Sequence, residues 1–441
     1  MKTLIRNALL LPCTPDMPVI EAGHVLIEDD RIVSAGAGPG PGSIDADITD
    51  VEGDIVMPGM VNPHAHLPMT LFRGLGEDVD DRLFRYVLPM ERKFVSPRMV
   101  RVGTALACWE LIRAGVTTVA DMYYHETEVG HVLDEAGLRG VVGQTIADFD
   151  PPDHASIDEG FALTELLVGA FADHPRITPS IAPHAPYSTD IAVMKRVAQW
   201  ATDHPAVPVQ IHLAEMGSEM AWAERTHGCR PVEVVDRAEL LIDGLIAAHC
   251  LHLDEAEIGR LAEAGVRVAH NARSNAKAGR GIAPVAAMRA AGIPVGIATD
   301  GPMSGNTLDL FAQFGPVSMF AKLLGGSRKP MPAVDIIRMA TIEGARVLGM
   351  DLRVGSLEPG KQADIIRIAL DTPRLQPVYD PYATLVFAAQ PEDVTDVMVA
   401  GRWLMRDRDV LTLERRKVLR DAGQIATEFK AEMARIDGGT S

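Results

Sequence analysis

The sequence predicts an α/β protein built on a (β/α)8 TIM-like barrel, with a composite β-sandwich-like module assembled from both chain ends. Three observations carry this expectation. From about residue 54 to 300, short β-rich runs alternate with longer amphipathic stretches. Eight such runs are found, most of them followed by a helical stretch, the pattern of a parallel sheet with crossover helices. The two ends break the pattern, with short strand-like runs punctuated by glycine. A doubly wound open sheet is the main rival.

In chain order, residues 1–53 hold short alternating runs at 25–28 and 31–34. The glycine-rich "GAGPGPGS" from Gly36 to Ser43 lacks GxGxxG spacing, carries two prolines and opens no helix, so it reads as a loop and not a dinucleotide site. Candidate strands follow at 55–62, 116–122, 138–146, 177–183, 207–213, 245–250, 266–271 and 293–300, on apolar continuity with β-branched residues. Between them lie segments such as 97–114, where Val102, Leu106, Trp109 and Ile112 recur at helical spacing. Pro97 suits its first turn and Gly115 its stop. Residues 354–412 return to strand-like runs, and 413–436 is charged with apolar residues at helical intervals, a docked surface helix. The expected division is 1–56 and 354–412 as the two parts of the composite β domain, 57–353 as the barrel, and 413–441 as a C-terminal helix and tail.

A chain of 441 residues suffices for a large core. With 42 basic against 60 acidic residues the net charge is −18, which disfavours a nucleic-acid or anionic-membrane surface. Four scattered cysteines form no Cys-x-x-Cys pair, as expected of a reducing compartment. The N-terminal apolar run is too short for a signal segment and no stretch is long enough to span a bilayer, so a cytoplasmic location is expected.

The chemistry begins at "PGMVNPHAHLPMTLFRG". His64 and His66 are alternate residues at the end of the first predicted strand, and alternate residues on an extended chain face one side. His212 ends the fifth strand in "VQIHLAE", and Asp300 ends the eighth in "PVGIATDGP". Barrel enzymes place their sites at these strand ends. Imidazole nitrogens with a carboxylate suit one divalent ion, Zn2+ foremost and Fe2+ second, better than Ca2+ or Mg2+. Any one of these histidines alone would be a hydrogen-bonded core residue; four ligands at matching strand ends favour the ion. Glu215, three residues after His212, can shuttle a proton from water to a ring nitrogen. His249 ends the sixth strand in "IAAHC" and faces the same mouth. The plainer readings are a helix N-terminal carboxylate and a core histidine.

These motifs together resemble the amidohydrolase superfamily, in its cytosine-deaminase-like group with one metal. The resemblance rests on "MPGMVNPHAH", "HLAE", "AHC", "HNARSNAKAGRGIAPV", "ATDGPMSGNTLDLF" and "GSLEPGKQADIIRI", nearly the whole chain. Within it, "HAHLPMTLFRG", "VLPME", "APHAPY" and "TDGPMSGN" are most similar to the S-adenosylhomocysteine and methylthioadenosine deaminases. The resemblance implies that Glu91 accepts hydrogen bonds from ribose hydroxyls and that His184 and Ser304 contact the nucleoside. It implies hydrolytic deamination, with Asp300 also taking a proton to help release ammonia. Without the likeness, Glu91 would read as a solvated helix residue, His184 as ordering a strand end and Ser304 as a helix cap.

The sequence departs from that branch after the third strand. Relatives that accept homocysteine often carry an arginine there, whereas "GVVGQTIADFDPPDH" has Gln144 near the matching place and no arginine between Arg139 and Arg176. Leu83 or Phe84 stands near a common tryptophan position. A substrate carboxylate would lose a charge-assisted bond of about 1.5–3 kcal/mol. The expectation is a deaminase of methylthioadenosine or adenosine, with S-adenosylhomocysteine a further candidate. The partner is thus a small nucleoside or amino-heterocycle, with no nucleic acid and no membrane; a homo-oligomer is compatible. The alternatives are a deaminase or chlorohydrolase of a triazine, pterin or guanine-like ring, and a catalytically silent metal-binding scaffold.

Overall fold

The computed structural model describes residues 1–42, 45–79 and 81–438. Eight parallel strands form two four-stranded sheets. The first sheet runs Met60–Ala65, Val116–Tyr123, Arg139–Ile146 and Ile177–Pro183; the second runs Gln210–Leu213, Ile246–His249, Arg267–His270 and Val295–Ile297. The first sheet is buried on both faces, as expected when helices cover a parallel sheet. The sheets meet at two seams. At one, Ile181 N donates to the Pro208 carbonyl at 3.1 Å and His212 N to the His184 carbonyl at 3.0 Å. At the other, Asn62 Nδ2 donates to Thr299 Oγ1 at 2.8 Å, and Asp300 N to the His64 carbonyl at 3.2 Å.

The stretch 55–62, read as one strand, is two. Ile55–Pro58 pairs in parallel with Lys2–Leu10 and antiparallel with Ile365–Ile368, inside a nine-stranded sheet to which both chain ends contribute. Met60–Ala65 begins the parallel sheet. Gly59 lies between them, and a Cβ there would fall 2.1 Å from Thr117 Oγ1, so only glycine lets the chain cross. Arg139 also ties the two parts together. Its guanidinium, wholly buried, donates to Asp364 at 3.0 and 3.1 Å and to Gln362 at 2.9 Å.

The helix predicted at 97–114 spans Pro97–Arg113 with Ser96 as N-cap; of its predicted apolar stripe Ile112 is buried, while Val102 and Leu106 are only half-buried. Gly103, Thr104, Ala107, Cys108 and Leu111 turn inward, and Trp109 is half-buried. The helix lies so close to the turn Leu67–Phe72 that a Cβ on Gly103 would meet the Pro68 carbonyl at 2.4 Å. Close approach selects small residues over large apolar ones. The strand Arg31–Ala37 takes in Gly36, and a loop follows through Gly42; Ser43 lies outside the described residues. The C-terminal helix spans Arg415–Gly438 and buries Val418, Ala422, Ile425 and Phe429; residues 439–441 of the expected tail lie outside the described residues. The four cysteines are free and buried. Among the described residues no helix is long and apolar enough to cross a membrane.

Beneath the strand ends, the carboxyls of Asp121 and Glu126 are wholly buried and face each other. Asp121 Oδ1 accepts from Leu67 N at 2.5 Å, while Asp121 Oδ2 and both Glu126 oxygens find no other partner. A proton shared between the two carboxyls joins one oxygen of each. Burial first, then the neighbouring Asp121 charge, pushes the Glu126 carboxyl well above its ordinary range.

Two outcomes are expected. Arg139→Ala strands the buried Asp364 charge and lowers the unfolding free energy by about 3–5 kcal/mol in denaturant titrations; a loss under about 1 kcal/mol would show that water reaches the pair. Glu126 is protonated in the folded chain at pH values where the unfolded chain has released that proton. Stability is therefore lost as pH rises from about 4.3 towards the raised folded-state value. Glu126→Gln cannot titrate, so its thermal midpoint falls less steeply than wild type between about pH 5 and 8. Parallel slopes would mean that Glu126 is ionised in the fold.

Candidate active site

At the C-terminal ends of the parallel strands, His64, His66, His212, His249, Glu215 and Asp300 come together. His64 lies in the first strand and His66 just beyond it; Asp300 lies past the end of the eighth strand. Ligand atoms of His64, His66 and Asp300 lie within 4.8 Å of one another, as do those of His64, His212 and His249, and those of Glu215, His249 and Asp300. Asp300 Oδ1 stands 3.4 Å from His66 Nε2 and 4.0 Å from His64 Nε2. The backbone is strained here: Ala214, His249 and Asp300 have φ of 51°, 72° and 61°, a region that residues other than glycine adopt at a cost.

The tautomers follow from the bonds behind the rings. A carbonyl oxygen only accepts, so His66 Nδ1 carries the proton it gives to Met122, and His212 Nδ1 gives its own to the His184 carbonyl at 2.8 Å. In the neutral rings each Nε2 keeps a lone pair, and the two Nε2 atoms lie 3.3 Å apart. His64 Nε2 is buried without a hydrogen-bond partner. Lone pairs aimed at one point beside a carboxylate fit a divalent cation. The charge balance agrees. Burial opposes a charge on His66, yet Asp300 holds that imidazolium up to about 9, so a proton on Nε2 competes for the place a divalent cation would take. Burial, then His66, drives His64 well below its ordinary range and His212 down to about 4. Asp300 stays ionised despite burial, held well below the usual carboxylate range first by its bond with His66.

Around this cluster opens a cavity of about 710 Å3. Glu215 and His249 line it, with Glu215 Oε1 3.6 Å from His249 Nε2. His249 Nδ1 is bonded to Asn275 Oδ1 at 2.9 Å, which turns Nε2 towards the carboxylate. Glu91 projects from the helix Leu88–Phe94 and accepts from Tyr123 Oη at 2.6 Å; burial raises its carboxyl above the ordinary range. His184 lines the same space, its Nδ1 bonded to Ser188 Oγ at 2.6 Å, and Ser304 lines it from the loop after the eighth strand. The candidate metal, catalytic and substrate residues thus all border this cavity or its histidine cluster.

Sequence reasoning passed over several others. Ser274 Oγ donates to Asp300 Oδ2 at 2.5 Å and Asn275 orients His249; both lie in the quoted "HNARSNAK" without a role. Arg280 bonds Glu215 Oε1. Gln144 does not line the cavity; buried, it donates to Asp153 at 3.0 Å, and Thr145 lines the wall instead. The mouth is not without a cation. Arg92, beside Glu91, lines it with 62% of its side chain exposed and pairs with Asp150 at 3.3 Å. A search confined to residues 139–176 could not find it, because Arg92 comes from the segment after the first strand.

The model of the Amidohydrolase family matches residues 55–404. A 5-methylthioadenosine/S-adenosylhomocysteine deaminase of Syntrophobacter fumaroxidans is 38% identical over 434 residues, 97% of this chain and 98% of that one. A 5'-deoxyadenosine deaminase of Methanothermobacter thermautotrophicus is 36% identical over 93% of this chain and 95% of its own. The crystal structure of an adenosine deaminase from Xanthomonas campestris with bound zinc superposes with a TM-score of 0.94 at 34% identity, covering 97% of this chain and 98% of that one. An atrazine chlorohydrolase of Arthrobacter aurescens shares the fold at 21% identity and a TM-score of 0.87. The chain belongs to the amidohydrolase family.

Proposed function

We propose that the chain is a metal-dependent hydrolytic deaminase of adenine nucleosides, with methylthioadenosine or adenosine as substrate before S-adenosylhomocysteine. The observation that carries this is the convergence, in one cavity, of the histidine–aspartate cluster with the Glu215–His249 pair and with Glu91. The near-full-length relatives named for methylthioadenosine, S-adenosylhomocysteine and 5'-deoxyadenosine support the nucleoside class. Hydrogen bonds across both seams support reading the eight strands as one (β/α)8 barrel, 57–353, with 1–56 and 354–412 as the composite module and 413–441 as the terminal helix and tail. The free cysteines suit a cytoplasmic setting.

His64, His66, His212 and Asp300 would hold the ion, with Zn2+ favoured by the nitrogen-rich donor set. Such an ion supplies Lewis acidity and lowers the pKa of water at the site. Glu215 accepts a proton from the attacking water and delivers it to a ring nitrogen, which makes the adjacent amino-bearing carbon more electrophilic. His249, fixed by Asn275, hydrogen-bonds the attacking oxygen. Asp300 takes the second proton of that oxygen and passes it to the departing amine. Water and the adenine amine thus become the ring carbonyl and ammonia. Glu91, with Oε1 taken by Tyr123, accepts from the ribose hydroxyls, while His184 and Ser304 contact the nucleoside. Gln144 brings no charge to this wall, and Arg92 at the mouth shares its charge with Asp150 in an exposed pair, which supports a neutral 5′ substituent over a carboxylate only weakly.

Ammonia release from methylthioadenosine, adenosine, S-adenosylhomocysteine, guanine and a triazine tests the reading. Turnover is expected on the adenine nucleosides, and Glu215→Gln should lower kcat about 10²–10⁴-fold at unchanged metal content. Silence on every nucleoside with metal loaded would overturn the substrate class, and undiminished turnover in the variant would remove Glu215 from the chemistry. Elemental analysis provides a readout independent of turnover. His212→Ala should bind clearly less metal than wild type after equal dialysis; equal content would take His212 out of the donor set.

A further inference from the structure

The helix that carries Glu91 is gripped from outside the cavity by the C-terminal helix. The two segments run antiparallel, and their charges pair in register. Asp437 accepts from Arg85 Nη2 and from Tyr86 Oη, both at 2.7 Å. Glu432 pairs with Lys93, and Glu428 accepts both terminal nitrogens of Arg98 at 3.0 and 3.1 Å. Each of these acids lies on the C-terminal helix; Arg85, Tyr86 and Lys93 lie on the segment that walls the cavity, and Arg98 opens the helix that follows it. Phe429 packs between Phe72 and Phe94, with ring centroids 4.9 and 5.0 Å apart. Arg435 and Lys93 hold the Glu432 carboxyl down to about 2, so it is ionised at any working pH.

Glu91 falls between the two grips, after Tyr86 and before Lys93. Its own helix has few apolar anchors: Met90 is its buried residue and Phe94 packs on Phe429 of the C-terminal helix, while Tyr86 and Val87 are the buried residues of the preceding turn Leu83–Val87. That turn is a π-helix, an irregular element that frequently marks functional sites. The C-terminal helix, by contrast, docks along its length on Val418, Ala422, Ile425 and Phe429, with Met433 and Ile436 packed on the core near its end. The pairs of Asp437 and Glu428 are exposed and contribute little to stability individually, whereas the Glu432 side chain is buried while its partner Lys93 is half exposed. Their geometric effect is larger, since a carboxylate that receives two hydroxyls loses affinity when displaced by a fraction of an ångström.

We propose that Glu432 and Asp437 are positioning residues for substrate binding. Through Lys93, and through Arg85 and Tyr86, they fix the helix that presents Glu91 to the ribose. This rests on the reading of Glu91 as the ribose carboxylate. Because the grip is electrostatic and near the surface, it weakens as salt screens it.

The test compares wild type, the isosteric double variant Glu432→Gln/Asp437→Asn, and Glu91→Ala. The substrates are methylthioadenosine and its 2′,3′-dideoxy analogue. The double variant should raise KM for methylthioadenosine about five- to tenfold, with kcat, metal content and thermal midpoint unchanged, and should leave KM for the dideoxy analogue as it was. Wild-type KM should climb between about 0.05 and 0.5 M salt, while that of the double variant stays flat. An unchanged KM in the double variant, with Glu91→Ala raising it, overturns the grip and leaves the ribose reading intact. No change in either variant overturns both. A joint fall of kcat, metal content and thermal midpoint in the double variant overturns the proposal too, because it marks a purely structural role.

Discussion

His66 and His212 each spend their Nδ1 proton on a backbone carbonyl, Met122 in one case and His184 in the other. Those two bonds leave a pair of Nε2 lone pairs 3.3 Å apart, with the Asp300 carboxylate beside them and the unpartnered His64 Nε2 close by. Neutral rings in that arrangement repel unless positive charge stands among them. Whatever keeps the strand ends together must answer to that requirement. The strained backbone at Ala214, His249 and Asp300 follows the same logic, since side chains from different strands reach one point only if the chain turns sharply as it leaves the sheets.

The groups around the cluster are arranged by the same economy of bonds. Asn275 occupies His249 Nδ1, so the other nitrogen faces Glu215. Tyr123 occupies one oxygen of Glu91. Ser274 occupies one oxygen of Asp300. In each case a neighbour satisfies one polar atom and so decides which atom the cavity meets. Arg280 on Glu215 is the exception, a charged partner for the group assigned the proton transfer.

Much of this was legible from the order of residues. The alternation of apolar runs and helical stretches gave seven strands close to their observed positions, because strands buried on both faces need continuous apolar sequence. The exceptions are local and steric. The run 55–62 looks uniform yet divides at Gly59, where contact with Thr117 forces the chain from one sheet to the other. The helix Pro97–Arg113 buries Gly103 and leaves Val102, Leu106 and Trp109 only half-buried, since its approach to Pro68 leaves no room for a larger residue at that point. Neither contact has a sequence signature, for the partners are distant in the chain.

The site divides in the same way. The resemblance marked the carboxylate in "VLPME"; sequence by itself determined the rest of the chemical inventory: three histidines and an aspartate at strand ends, and a glutamate three residues after one of them. Residue type and the two-residue period of a strand suffice for that, because both are local properties. Only the tertiary structure decided which atom of each group faces the cavity, which cation stands at its mouth, and what holds the Glu91 helix. Those depend on Met122, Asn275, Tyr123, Arg92 and the last turns of the C-terminal helix, brought in from remote parts of the chain. Hydrogen-bond direction and ion pairing are properties of neighbours in space, and the chain must close on itself before they exist.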